Sequence, residues 1–305
     1  MTSSVDPLEA ASAVVLVAGL AVAGWRDLAS REVSDRLWQL LGGFGVAAGA
    51  VGLLGRGSLP LVLWLVVGAF ALEHLLPWDD VLAEDQLGRA IAIELVVYAA
   101  VLAVVGLAVA RWGVGPTTVP VAVLAALATI LAARALFELG VLYGGADAKA
   151  LIVVGVLLPV LAAPWLYAPA VEAPLAAILP FAVTVLTNAA LLSIAFPLAI
   201  AARNAARGEF TVARGFTRYT IPVEELPRRF VWVRDPAVGE DTFQDDAETS
   251  EEDVRRREEV AQRLRQQGVE RVWVSPQLPF VVLMAAGTVA GLLAGNLLLD
   301  LFSAL

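Results

Sequence analysis

Two aspartates stand in this sequence where a carboxylate is costly to keep. Asp147 lies in Tyr143-Gly144-Gly145-Ala146-Asp147-Ala148-Lys149, at the mouth of a strongly apolar run. Asp27 lies in Gly24-Trp25-Arg26-Asp27-Leu28-Ala29-Ser30-Arg31-Glu32-Val33-Ser34-Asp35, directly after another such run. An ionisable residue beside a bilayer is a functional-site hypothesis by default. Two facing carboxylates can share a proton, because both cannot comfortably ionise. The ionised one takes a proton from water, while the protonated one polarises a peptide carbonyl and later protonates the leaving amine. This is aspartic-protease chemistry. The glycines at 144 and 145 would let an extended peptide come close to Asp147.

Composition narrows the alternatives. The chain has no cysteine, which removes disulfides, cysteine-zinc sites and a cysteine nucleophile. His74 is the one histidine, which argues against a Ser-His-Asp triad and a histidine-built metal site. No metal and no cofactor are expected. The net charge of −9 and a pI near 4.7 argue against nucleic acid as a partner. Lys149 is the single lysine, and an acidic chain whose cations are otherwise all arginine resembles proteins of high-salt cytoplasms.

The elements that must position the aspartates are membrane helices. A 59% hydrophobic content and a mean hydropathy of +0.77 predict an all-α polytopic membrane protein. Eight apolar runs near span length occupy roughly 8–26, 37–55, 59–76, 90–111, 118–139, 149–166, 175–201 and 277–302. Arginine placement predicts an N-terminus outside. The segments 27–36, 77–89, 140–148 and 202–276 then face the cytoplasm, which puts Asp27 and Asp147 on one face. Residues 1–201 are expected to form the transmembrane catalytic domain, 202–276 a small cytoplasmic α+β insertion and 277–305 the last span. Within the insertion, Arg229–Arg234 and Glu270–Ser275 predict two matching short strands. Gly239–Ser250 reads as an acidic flexible loop. Ser250, with Asp253 three positions on, predicts a capped helix that ends at Gly268, with a thin apolar stripe of Val254, Ala261 and Leu264. That insertion reads either as a surface subdomain or as a substrate-docking element.

Plainer roles exist for the same residues. Asp147 fits a helix N-cap, and Asp27 an interfacial partner of Arg26 and Arg31. Lys149 either neutralises the dyad or anchors its span by the positive-inside rule. Arg31 and Asp35 read as supports. Asp79, Asp80, Glu84 and Asp85 form an acidic loop that is either simply solvated or attractive to a basic peptide. Glu73 and His74 read as interfacial, with a hydrogen bond to the dyad region as the other reading. Arg134 and Glu138 suit a helix-face ion pair, and Thr184 and Asn188 suit bonds to neighbouring helices.

Asp147 in Gly-Gly-Ala-Asp-Ala-Lys, with Asp27 in Asp-x-x-x-Arg-Glu-Val-x-Asp, resembles the type IV prepilin peptidases, and most closely their archaeal branch, the preflagellin (archaellin) and prepilin peptidases. Val272-Trp273-Val274-Ser275-Pro276-Gln277-Leu278-Pro279-Phe280 is similar to that branch's entry into its last span. The sequence departs from the family at Ala146, where the usual motif has glycine, and at Ser34, where a proline is common. Its eight runs exceed the six spans expected, which gives about six to eight transmembrane helices. The bacterial members' paired-cysteine zinc domain, linked to N-methylation, is not matched here. The resemblance implies a membrane aspartic endopeptidase that cleaves basic leaders from pilin and archaellin precursors on the cytoplasmic side of the bilayer. It implies Asp27 and Asp147 as the catalytic residues, with Gly144, Gly145, Lys149 and Arg31 in binding or supporting roles. Two other classes stay open: a proton-coupled transporter with carboxylate relays, and a presenilin-like intramembrane protease. The latter places its first aspartate inside a span after tyrosine, unlike Trp25-Arg26-Asp27-Leu28.

Overall fold

The computed structural model describes residues 6–76, 87–115, 117–142, 144–161, 164–166, 178–234 and 250–303; the side chains of 87–91 and 250–253 are outside that description. The acidic loop 79–85, the loop 239–249, Tyr143 and the Ser250–Asp253 cap therefore lie outside it.

Apolar runs become helices, several with glycine inside them, as helices packed on neighbours tolerate. They give α1 (Pro7–Ser30), α2 (Asp35–Leu53), α3 (Ser58–His74), α4 (Leu87–Trp112), α5 (Val121–Glu138) and α6 (Gly145–Leu157). The run near 175–201 gives α7 (Phe181–Ser193) and α8 (Ala195–Ala206), broken at Ile194. Pro197 explains the break: its ring clashes with the carbonyl four residues back, that of Ser193. The run 277–302 gives α10 (Phe280–Ala294) and α11 (Leu297–Ser303), bent by 52° at Gly295-Asn296. Among the described residues, four helices are long and apolar enough to cross a membrane, or five if the bent pair counts as one span. The protein is thus a helical membrane protein, with four or five candidate spans among the described residues where the sequence showed eight apolar runs. The run 149–166 yields only the 13-residue α6.

The chain forms two compact units. The first comprises Met1–Arg26, Val33–Ala189 and Phe280–Leu305; the second comprises Asp27–Glu32 and Ala190–Pro279. At the centre of the first lies α6, buried from Ala150 to Leu157 and packed on α2 and α5. Small residues let these backbones approach, as is usual between membrane helices. A Cβ on Gly45 of α2 would lie 3.0 Å from the Val156 carbonyl carbon, and one on Gly155 of α6 would lie 2.7 Å from Thr129 Cγ2 of α5. Elsewhere in this unit Asn188 bonds a neighbouring helix, as expected. Its Nδ2 donates to the Gly295 carbonyl at 2.9 Å, and its Oδ1 accepts from the Leu297 N–H at 2.9 Å. One side chain thereby satisfies the backbone exposed by the α10–α11 bend.

The second unit contains a three-stranded antiparallel sheet of order β1-β3-β2, made of β1 (Tyr219–Pro222), β2 (Val231–Val233) and β3 (Arg271–Pro276). The two expected strands pair, with Val231 opposite Pro276 and Val233 opposite Val274; β1 is an addition to that expectation. Alternation puts Val231, Val233, Val272 and Val274 on a buried face. That face shares one core with Val223 and Leu226 of the 3-10 turn Val223–Arg228 and with Val260, Ala261 and Leu264 of α9 (Ser250–Gln266). Gly268, at φ 75°, follows the helix as anticipated. The stripe differs in one respect: Val254 is exposed, and Arg257 is buried instead.

Candidate functional site

The two aspartates belong to different units, and each has its own setting. Asp147 is not the N-cap of α6. Gly144 holds that place, and Asp147 is the third helical residue, its N–H donating to the Gly144 carbonyl at 3.0 Å. A carboxylate in a first turn faces unsatisfied N–H groups, a favourable place for negative charge. The two glycines differ. A Cβ at Gly144 would come within 3.2 Å of Asp147 Oδ2, whereas a Cβ at Gly145 would meet nothing within 4 Å. Gly144 has φ −103° and ψ 131°, values any residue adopts. Its lack of a side chain therefore keeps space around the carboxylate and is not demanded by the turn.

Lys149, two residues further on, forms an ion pair and hydrogen bond with Asp35 Oδ1 in the first turn of α2. The neighbour of Lys149 in the structure is thus Asp35. Because α6 already packs on α2, this pair ties the first turns of the two helices together.

Asp27 sits in the last turn of α1 with its side chain 14% exposed. Its Oδ1 lies 3.6 Å from Nη1 of Arg31, whose side chain is 20% exposed. That spacing is an ion pair and not a hydrogen bond. Arg31 itself donates from Nη2 to the Gln277 carbonyl at 2.7 Å and lies 5.1 Å from the centroid of the Phe230 ring.

The sequence missed part of a polar group in the first unit. His74 Nε2 lies 2.5 Å from the Tyr98 hydroxyl of α4, and its Nδ1 lies 2.8 Å from both the Phe70 carbonyl and Glu73 Oε2. Arg134 of α5 pairs with Glu138 at 2.7 Å, as expected, and also with Glu94 of α4 at 3.4 Å. Tyr98 and Glu94 are one helical turn apart, a spacing that could have flagged a polar stripe on α4. Among the described residues, no group of three or more histidine, cysteine, aspartate or glutamate side chains could hold a metal ion. Comparison with protein-family models, curated proteins and solved structures returns no match for this chain.

Proposed function

We propose that the protein is a membrane aspartic endopeptidase that removes short basic leaders from type IV prepilin-like and archaellin precursors at the cytoplasmic membrane face. The observation that carries this reading is the placement of both aspartates at helix ends. Asp27 is in the last turn of α1 and Asp147 in the first turn of α6. Helix ends are where a membrane helix can offer a carboxylate to a peptide and to water. In the proposed reaction one aspartate is ionised and accepts a proton from water as the water oxygen bonds to the scissile carbonyl carbon. The other, protonated, donates a hydrogen bond to the carbonyl oxygen. The C–N bond then breaks as that protonated aspartate gives its proton to the leaving nitrogen, and the dyad keeps the one proton taken from water. Precursor, water and the two carboxylates are sufficient, so no cofactor is invoked.

Cleavage of a leader-bearing precursor in isolated membranes tests this. Asp27→Asn and Asp147→Asn should each lower turnover by about a thousandfold, within the usual range for losing a general acid or base, at unchanged expression. Near-native turnover in either variant removes the dyad. One observation favours the transporter reading: the His74–Tyr98 hydrogen bond sits between two apolar helices. Proton flux in proteoliposomes that is lost in His74→Gln, with no precursor cleavage by the native chain, would select that class.

A further inference from the structure

Arg31 occupies a backbone position that glycine usually fills. Its φ of 60° is the one positive φ at a non-glycine residue among the described residues. Its N–H closes α1 on the Asp27 carbonyl at 3.1 Å, the single-bond form of a left-handed helix cap. A Cβ is disfavoured in that conformation and glycine is not. Outliers of this kind persist where the surroundings over-determine them, and they cluster at functional sites.

The surroundings of this side chain are specific. One Nη group of the guanidinium faces the Asp27 carboxylate at 3.6 Å, the other donates to the Gln277 carbonyl at 2.7 Å, and the group lies over the Phe230 ring. Gln277 and Phe230 are themselves held in turn. The Gln277 N–H donates to the Phe230 carbonyl at 3.2 Å, extending the β2–β3 ladder by one pair. Buried Arg257 of α9 donates to the Arg229 carbonyl, and its guanidinium lies 5.0 Å from the Phe230 centroid. A planar guanidinium can serve a carbonyl, a carboxylate and an aromatic face together, which an ammonium cannot do.

We propose that Arg31 is a positioning residue for Asp27, and that the polar segment around β2, β3 and α9 holds it in place through Phe230 and Gln277. This rests on the peptidase reading of Asp27. It gives the 202–276 segment a task that needs no contact with substrate: it fixes the arginine that aims the carboxylate. The 3.6 Å separation suits the task, because an ion pair of that length orients the carboxylate and leaves its oxygens able to bond water.

Arg31→Gly separates positioning from support, because it relaxes the backbone while removing the guanidinium. In the full-length protein, precursor cleavage should show kcat lowered by about tenfold to a hundredfold, the scale of a misplaced catalytic group, with KM within about twofold and Tm not lowered. Arg31→Lys should recover part of kcat. Phe230→Leu should lower kcat in the same direction and speed hydrogen exchange across residues 27–32, whereas Phe230→Tyr should match the native protein in both. Native kcat in Arg31→Gly, with Asp27→Asn inactive, overturns the positioning role alone. A fall in kcat accompanied by an equal loss of folded protein also overturns it, since that is what support alone predicts. Native cleavage by Asp27→Asn removes Asp27 from the dyad and the positioning role with it, whereas no precursor cleavage by the native protein overturns the peptidase reading itself, whatever Arg31 does.

Discussion

Asp147 and Asp27 are held by different physics. Asp147 rides on α6, a helix gripped at close quarters: Gly45 against the Val156 backbone on one side and Gly155 against the β-branched Thr129 side chain on another. Such contacts have little soft part, because a backbone cannot rotate away and a β-branched side chain is stiff at χ1. Asp27 is held by side chains, through an arginine that stacks on Phe230 and bonds the Gln277 carbonyl. Side-chain contacts adjust by fractions of an ångström at little cost. The comparison suggests that the two carboxylates tolerate change differently: packing changes should harm the Asp147 region through folding, and polar changes should harm the Asp27 region through activity.

The largest effect should come from filling the α2–α6 contact. Gly45→Val would drive a Cβ to 3.0 Å from the Val156 backbone and add two methyl groups there. Overpacking of this kind costs about 1–3 kcal/mol or more, and little folded protein should be recovered. Gly43→Val, where a Cβ meets nothing within 4 Å, is the control. Melting in detergent, followed by fluorescence, measures both. Equal melting of the two variants would show that backbone contact is not what holds α6.

The corresponding change in the second unit is Arg257→Met. It keeps much of the buried stem and removes the bond to the Arg229 carbonyl and the contact with Phe230. Leaving that acceptor unpaired should cost about 1–3 kcal/mol. The three-stranded sheet should survive, because its valine core does not involve the guanidinium. Circular dichroism and precursor cleavage should therefore part company: secondary structure retained, turnover reduced. Retained turnover would place Phe230 outside the chain of contacts that reaches Asp27.

How much of this was legible in the sequence depended on the kind of signal. Apolar runs announced the helices, because burial in lipid or protein demands them over many residues. Val231-Trp232-Val233 and Val272-Trp273-Val274 announced their pairing, because alternation is a local signal. Tyr219–Pro222 did not, since four residues ending in proline carry too little pattern and only β3 makes them a strand. The breaks at Ile194 and Gly295 were written in Pro197 and Gly295-Asn296 but masked by the hydropathy around them. Both aspartates stood out by charge in an apolar setting. The roles of Phe230 and Gln277 did not, because their contacts with Arg31 span some 200 positions or more along the chain, and Arg257 reaches Arg229 and Phe230 from 28 and 27 positions away, too far for helix or strand spacing to show.

A smaller effect is expected at the Lys149–Asp35 pair. With side chains 20% and 31% exposed, solvent screens the attraction, and the coupling should be about 0.5–1 kcal/mol. Asp35→Asn, Lys149→Gln and the double variant form a cycle that measures it. Activity should fall only severalfold if the pair merely trims the angle of the first turn of α6. A loss as large as that of Asp147→Asn would make Lys149 part of the chemistry, and the contrast between rigid and adjustable regions would weaken.

The finest distinction lies between two adjacent glycines. The sequence treats Gly144 and Gly145 alike, as clearance for a passing peptide, but the structure separates them. An alanine methyl at 144 would press to 3.2 Å from Asp147 Oδ2, closer than a methyl and a carboxylate oxygen comfortably sit, so the carboxylate must turn. The backbone there accepts alanine, so folding should not suffer. At 145 the methyl meets nothing, and alanine is a better helix former than glycine by up to about 1 kcal/mol. Gly144→Ala should therefore lower precursor cleavage about threefold to tenfold, equivalent to about 1 kcal/mol in the barrier, while Gly145→Ala stays within about twofold and melts no lower. Gly145→Val then reports chiefly on the substrate, because no described residue lies within 4 Å of a Cβ there. A sharp loss in Gly145→Val beside a tolerant Gly145→Ala would trace the peptide past residue 145. Equal tolerance of both would move the peptide's path away from it, and leave Gly144 as the one glycine whose bareness the Asp147 carboxylate requires.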